Sequence, residues 1–189
     1  MRAFARQDDD VAELTEAAMA IALSVVLGNL RLVELPNGGS VAFGILPLLV
    51  YGLVRGFRPA FIAGWIAGMA HAMFGGRIVH PGQFLLDYGL AYAALSFVAI
   101  GRTGSRARMR IGIVVAGLAH LAVFAASGVF FFGDYAPAGM PVLTYSLAYN
   151  ASHVLPEVVI ALIAVPVLVR AYARSNPLDA WRLGLDPRR

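Results

Sequence analysis

The run IGIVVAGLAHLAVFAASGVFFF, Ile111–Phe132, passes directly into GDYAPAGMPVLTYSLAYNASHVLP, Gly133–Pro156. The first contains no Asp, Glu, Lys or Arg and exceeds the roughly 20 apolar residues that a helix needs to cross about 30 Å of hydrocarbon. It lacks the period-two alternation of a barrel strand, so it reads as a transmembrane helix. The second is polar and aromatic where its neighbours are apolar. It holds Tyr135, Tyr145, Tyr149, Asn150 and His153, with Pro137 and Pro141 stiffening its start. Irregular chain at membrane depth is tolerated only where protein buries it or where it lines a cavity. This stretch therefore reads as a lid and binding surface, or else as an interfacial belt of the kind Tyr forms at headgroup depth.

Working outward, six hydrophobic segments emerge near Leu14–Leu30, Val41–Val54, Pro59–Phe74, Phe84–Ile100, Ile111–Phe132 and Val154–Val169. Breaks fall at Pro36-Asn37-Gly38-Gly39, Gly56-Phe57-Arg58-Pro59, His80-Pro81-Gly82 and Gly101–Arg110, where turn chemistry places them. Val41–Val54 is the weakest, a short span or one extended by polar flanks. Composition agrees: 59% of the 189 residues are hydrophobic and 14% charged, against about 25% charged in soluble domains. The expected fold is an all-α membrane protein, a six-transmembrane-helix bundle forming one integral membrane domain over residues 1–189. Residues 1–12 and 173–189 are its terminal tails. There is no cysteine, which excludes disulfides, thiolate metal sites and a cysteine nucleophile. The start, MRAFARQDDDVAEL, has no apolar stretch of the kind that makes a cleaved signal peptide.

All fifteen basic residues are arginine. Thirteen fall on one side of the six-span reading, in the N-terminal tail, the second and fourth connections and the C-terminal tail; only Arg31 and Arg77 fall on the other. The positive-inside rule then puts both termini in the cytoplasm. Topology thus accounts for the net charge of +4 without nucleic acid. The first, third and fifth connections (Pro36–Ser40, Gly75–Gln83 and Gly133–Ala148) face outward and carry the aromatic and hydrogen-bonding groups expected of a site open to the exterior.

Ionisable groups at membrane depth are functional candidates by default. Asp87, in QFLLDYGLAY beside Tyr88 and one turn after Gln83, is an anion facing a cationic or amine-bearing ligand, or a first-turn carboxylate stabilised by its helix N-terminus. His71 and His120, each alone in apolar helix, read as core residues hydrogen-bonded across helices. Asn150, His153 and Glu157 recur at helical spacing and share one face, which should turn toward the bundle interior. His153 and Glu157 can also pair with each other. In the first segment Ala18-x-x-x-Ala22 is a small-residue face suited to close helix approach, within the bundle or with a partner.

Taken together, LTEAAMAIA (Leu14–Ala22), LPNGGSVAFGILPLLVYGLVRG (Leu35–Gly56), HPGQFLLDYGLAY (His80–Tyr92) and SGVFFFGDYAPAGMPVLTYSLAYNASHVLP (Ser127–Pro156) resemble the thiamine-specific substrate-binding (S) components of energy-coupling factor (ECF) transporters, the ThiT/YuaJ group. The resemblance covers nearly the whole chain. It implies a prokaryotic cell-membrane subunit with an outward-facing pocket that captures thiamine under loops. It further implies docking of Ala18 and Ala22 on a transmembrane coupling subunit, and two partner ABC ATPases that drive uptake. By position it places the pocket carboxylate on Asp87 and its aromatic neighbour on Tyr88. The stacking ring falls on Phe132, the loop tyrosine on Tyr145 and the last-helix asparagine on Asn150. A permanent thiazolium cation suits a carboxylate, and an aminopyrimidine suits aromatic faces and amide or hydroxyl partners.

The chain departs from the family in three places. Phe124 stands where a histidine is usual, with His120 one turn earlier. His153 and Glu157 stand where tyrosine and serine are more usual. The last two add polar groups to the face carrying Asn150, so His153 joins the substrate-binding set, and the site is compatible with thiamine, a precursor or another small cationic heterocycle. An intramembrane hydrolase or transferase built on Asp87, His71 or His120, and Glu157 is the competing class. It lacks a G-x-S-x-G elbow, an H-E-x-x-H motif and a dense histidine–carboxylate cluster. No metal and no cofactor is expected, and without a phosphate loop the chain depends on partners for ATP hydrolysis.

Overall fold

A computed structural model describes residues 2–36, 39–102 and 105–176, with side chains from residue 10 onward. Asn37 and Gly38 of the first turn, and Arg182, Arg188 and Arg189 of the C-terminal tail, lie outside the described residues. The helices are α1 (Arg2–Gly28), α2 (Ile45–Arg55), α3 (Phe57–Met73), α4 (Pro81–Gly101), α5 (Arg106–Phe131) and α6 (Val142–Ser175). Between α1 and α2 a short antiparallel pair, β1 (Val33–Glu34) and β2 (Ser40–Val41), joins Val33 to Val41 and Glu34 to Ser40.

Among the described residues, four helices are long and apolar enough to cross a membrane: α1 over Asp10–Gly28, α4, α5 and α6. With 11 residues, α2 rises only roughly 16 Å at 1.5 Å per residue. It ends at Gly56, whose φ of 96° lies in the region that only glycine occupies freely. The chain turns there straight into α3, and the Arg102 side chain covers the corner, its Nε donating to the Val54 carbonyl at 3.2 Å.

Two helix starts differ from the sequence expectation: the first helix runs back to Arg2 through residues expected as a terminal tail, and the last begins earlier than its apolar run. The fifth connection was expected to run to Ala148 and the last span to start near Val154. Instead α6 begins at Val142 and continues for 34 residues through Pro156 and Pro166. The apolar run marks the part of the helix suited to hydrocarbon, whereas backbone hydrogen bonding carries the helix on through the polar residues before it. Pro141, with φ −59° and ψ 135°, holds the extended residue from which the helix starts.

Lipid is as apolar as leucine, so helices associate in it through close packing more than through burial from water. The core that results is confined to one end. Leu49, Leu53, Val98, Ile113, Val165 and Val169 are at most 1% exposed and join α2, α4, α5 and α6. They sit beside Arg55, Arg102, Arg106–Arg110 and Arg170, so the arginine-rich end is the solid one. At the same end Glu16 of α1 accepts a bidentate pair from Arg55 (2.6 and 2.7 Å) and a hydrogen bond from the Tyr172 hydroxyl at 2.9 Å, tying α1, α2 and α6 together.

The tightest helix pair is α3 on α4. A Cβ on Gly68 would overlap the Tyr88 carbonyl oxygen, and one on Gly64 would press on the Tyr92 carbonyl. Opposite these glycines α4 is under-wound over Leu85–Leu90 into a π turn, an inserted residue of the sort that often re-aims side chains at functional sites. Gly68→Ala is therefore expected to push the two helices apart at a cost of roughly 1–3 kcal/mol. A thermal unfolding midpoint in detergent unchanged from wild type would contradict this packing.

Candidate functional site

Away from the arginine-rich core the bundle is hollow, enclosing a cavity of about 190 Å³ that opens at the other end. Asp87, Tyr88, Phe132, Tyr145, Asn150 and His153, the six residues singled out as substrate-binding, all line this one cavity. So do Glu157, His71 and His120.

The α4 wall is built from its first turn. Pro81 occupies the first helical position, and the His80 ring nitrogen Nδ1 accepts the Gly82 N–H at 3.0 Å, a cap that fixes where the helix starts. One turn on, the almost fully buried Gln83 accepts the Val79 N–H and donates to the Arg77 carbonyl and to Asp87 Oδ2, the last at 2.6 Å. Gln83 thus orients the carboxylate from the side. Among the described residues no cation reaches Asp87 within salt-bridge distance. The Tyr88 hydroxyl donates to the Arg77 carbonyl at 3.4 Å.

The α6 wall carries the polar face read from its spacing. Asn150, His153 and Glu157 are each under 10% exposed. Asn150 Nδ2 donates to the carbonyls of Ser146 (2.9 Å) and Phe124 (3.3 Å), and its Oδ1 lies 3.3 Å from His153 Nε2. The alternative His153–Glu157 pair is not formed. Glu157 instead accepts the Ala42 N–H at 2.9 Å, anchoring the end of β2 to α6. Nearby, the Gly39 N–H donates to the Tyr149 hydroxyl at 3.0 Å.

Between the walls runs a continuous series of ring contacts. His71 stacks on Tyr92 (4.7 Å), Tyr92 meets His120 (5.6 Å), and His120 meets Phe124 (4.5 Å). Phe124 then meets His153 (5.6 Å), which leads through Tyr149 to Tyr145. Phe124 and His120 therefore share the floor region. His120 Nδ1 donates to the Ala91 carbonyl at 2.6 Å, and His71 Nε2 lies 3.0 Å from Ser24 Oγ. Both histidines are hydrogen-bonded across helices, as their isolation in apolar sequence suggested, and both also face the cavity.

Sequence reasoning missed three parts of the rim. The β1–β2 hairpin is a cover of its own, and the Asn37-Gly38 dipeptide between two apolar flanks was its signal. Arg77 donates to the Tyr135 hydroxyl at 2.9 Å, joining the α3–α4 connection to the α5–α6 connection across the mouth. Arg31, at the same rim, pairs with Glu34 at 2.9 Å. Neither had a local pattern to mark it. On α1, Ala18 and Ala22 are exposed on the outer face while Ala17, Ala20, Ile21 and Ser24 turn inward, so the small-residue face is not used in internal packing.

Residues 14–176 match the family described as "Thiamine transporter protein (Thia_YuaJ)". The thiamine transporter ThiT of Bacillus subtilis (strain 168) is 29% identical over 188 residues, covering 92% of this chain and 98% of that protein. ThiT of Lacticaseibacillus paracasei is 24% identical over 180 residues, covering 87% and 90%. A solved structure of ThiT from Listeria monocytogenes superposes with a TM-score of 0.78 at 24% identity, covering 94% of this chain and all of that one. That last likeness establishes the fold.

The Gly39–Tyr149 hydrogen bond is the hairpin's side-chain tether to α6 nearest the mouth. Tyr149→Phe is expected to speed amide exchange in the peptide containing Gly39 several-fold while leaving the helical circular dichroism unchanged. Unaltered exchange there would mean that the tether does not hold the hairpin down.

Proposed function

We propose, because the chain belongs to the Thia_YuaJ thiamine transporter family, that it is the thiamine-capturing S component of an ECF-type importer. It is a multi-pass protein of the prokaryotic plasma membrane and a transporter, not an enzyme. In this reading six spans leave both termini in the cytoplasm, as the arginine distribution supports. The cavity then opens to the outside, where it takes up thiamine with high affinity. A transmembrane coupling subunit docks on the Ala18/Ala22 face, and two ABC ATPases supply the energy that this chain has no phosphate loop to harvest.

The observation that carries the proposal is Asp87, a carboxylate held in place by Gln83 but with no basic partner among the described residues, inside an aromatic-lined cavity. An anion at membrane depth with no countercharge is costly, and a permanent cation entering the cavity removes that cost. Phe132 and Tyr145 offer ring faces to the same cation, each able to contribute about 0.5–2 kcal/mol. Tyr88 and Asn150 complete the wall around the ligand. A second reading, a thiamine precursor or another small cationic heterocycle, draws support from Phe124, which puts an apolar ring where the family usually has histidine.

Asp87→Asn keeps the Gln83 contact but removes the charge, and is expected to raise the Kd for thiamine more than tenfold, roughly 1.4 kcal/mol, in calorimetric or intrinsic-fluorescence titrations. An unchanged Kd would sink the countercharge role. Ala18→Trp, on the opposite side of α1 from the cavity, should leave thiamine binding intact and abolish most uptake by the assembled transporter. Full uptake by that variant would remove this face as the docking surface.

A further inference from the structure

We propose that Glu157 is a second ligand-binding carboxylate, accepting an N–H from the amino-heterocycle end of the ligand while Asp87 faces the cationic end. This rests on the thiamine reading above and assigns the deep end of the same cavity. Glu157 is 7% exposed and lines the cavity. Its Oε1 accepts the Ala42 N–H, while Oε2 takes no hydrogen bond from the described residues and is not sealed off inside the protein. A buried carboxylate with one of its two oxygens unpartnered calls for a donor, and among the described residues no cation is within reach.

The two carboxylates stand at different depths. Asp87 lies beside Ser127 on α5. Glu157 is one turn below His153, whose ring meets Phe124, and so stands level with His120 on α5. Seven residues of α5 separate the two levels, roughly 10 Å at 1.5 Å per residue. The cavity is long in the same direction: Tyr145 and Glu157 both line it, and twelve residues of α6 rise roughly 18 Å. The cations near the mouth are engaged elsewhere, Arg31 with Glu34 and Arg77 with the Tyr135 hydroxyl. An elongated, anionic slot with an acceptor at each level fits a two-ended ligand, a fixed cation above and an amine-bearing ring below. In thiamine those ends are the thiazolium and the 4′-aminopyrimidine.

Oxythiamine tests the lower end alone, because it keeps the thiazolium and replaces the 4′-amino group with a carbonyl oxygen, which would face Glu157 with a lone pair. Purified wild-type protein is expected to bind thiamine at least tenfold more tightly than oxythiamine. Glu157→Gln, whose amide oxygen can still accept the Ala42 N–H, should bring that ratio close to one, mainly by weakening thiamine. Asp87→Asn should weaken both ligands and leave the ratio near its wild-type value. If Glu157→Gln binds neither ligand, Glu157→Asp decides by the same ratio, a fall supporting the assignment. Thiamine binding with an unchanged ratio in the Glu157 variants overturns the role of Glu157 and leaves the thiamine reading standing. Wild-type protein that binds neither ligand overturns both.

Discussion

A helix that stops halfway shapes the whole molecule. α2 packs in the middle of the bundle, against α1, α3, α4 and α6, yet it has only 11 residues. Where α2 is present, leucine and valine from the surrounding helices close on it and leave no space. Beyond Ile45 there is no central helix to pack against, and the surrounding helices enclose a cavity. The chain between α1 and α2 then folds over that space as a hairpin. Its backbone polar groups need partners at this depth, and it finds two on α6, the Tyr149 hydroxyl and the Glu157 carboxylate. Cavity and cover thus both follow from the short α2.

Polar chemistry divides along the same line. At the solid end, charge is neutralised within the protein: Glu16 is matched by Arg55 and by the Tyr172 hydroxyl. At the hollow end Asp87 and Glu157 accept hydrogen bonds from neutral donors and meet no cation among the described residues. At one end electrostatics holds helices together, and at the other it leaves carboxylates lining a cavity. The close contact of α3 with α4 serves the second purpose, because Gly64 and Gly68 admit the backbone beside the π turn that carries Asp87 and Tyr88.

Much of this was legible in the chain itself, for reasons that are local. Apolar run length reports on hydrocarbon thickness, so the membrane class and the positions of the helices could be read directly. Helical periodicity relates residues three and four apart, so Asn150, His153 and Glu157 could be put on one face before any tertiary contact was known. The isolation of His71 and His120 likewise pointed to hydrogen bonds across helices. The start of α6 is not legible from apolarity, because the helix outruns its hydrocarbon-facing part.

By itself, then, the sequence determined a helical membrane bundle, an arginine-rich end, an aromatic stretch at the other end, and a polar face on the last helix. Only the tertiary structure decided which polar groups partner one another within the protein and which line the cavity. Those outcomes rest on contacts between residues more than a hundred positions apart, Gly39 with Tyr149 and Ala42 with Glu157. Nothing in local periodicity encodes such a meeting. It exists because close-packed helices bring distant side chains to one level, and that packing assigned Glu157 to a backbone N–H when its neighbour His153 stood one turn away.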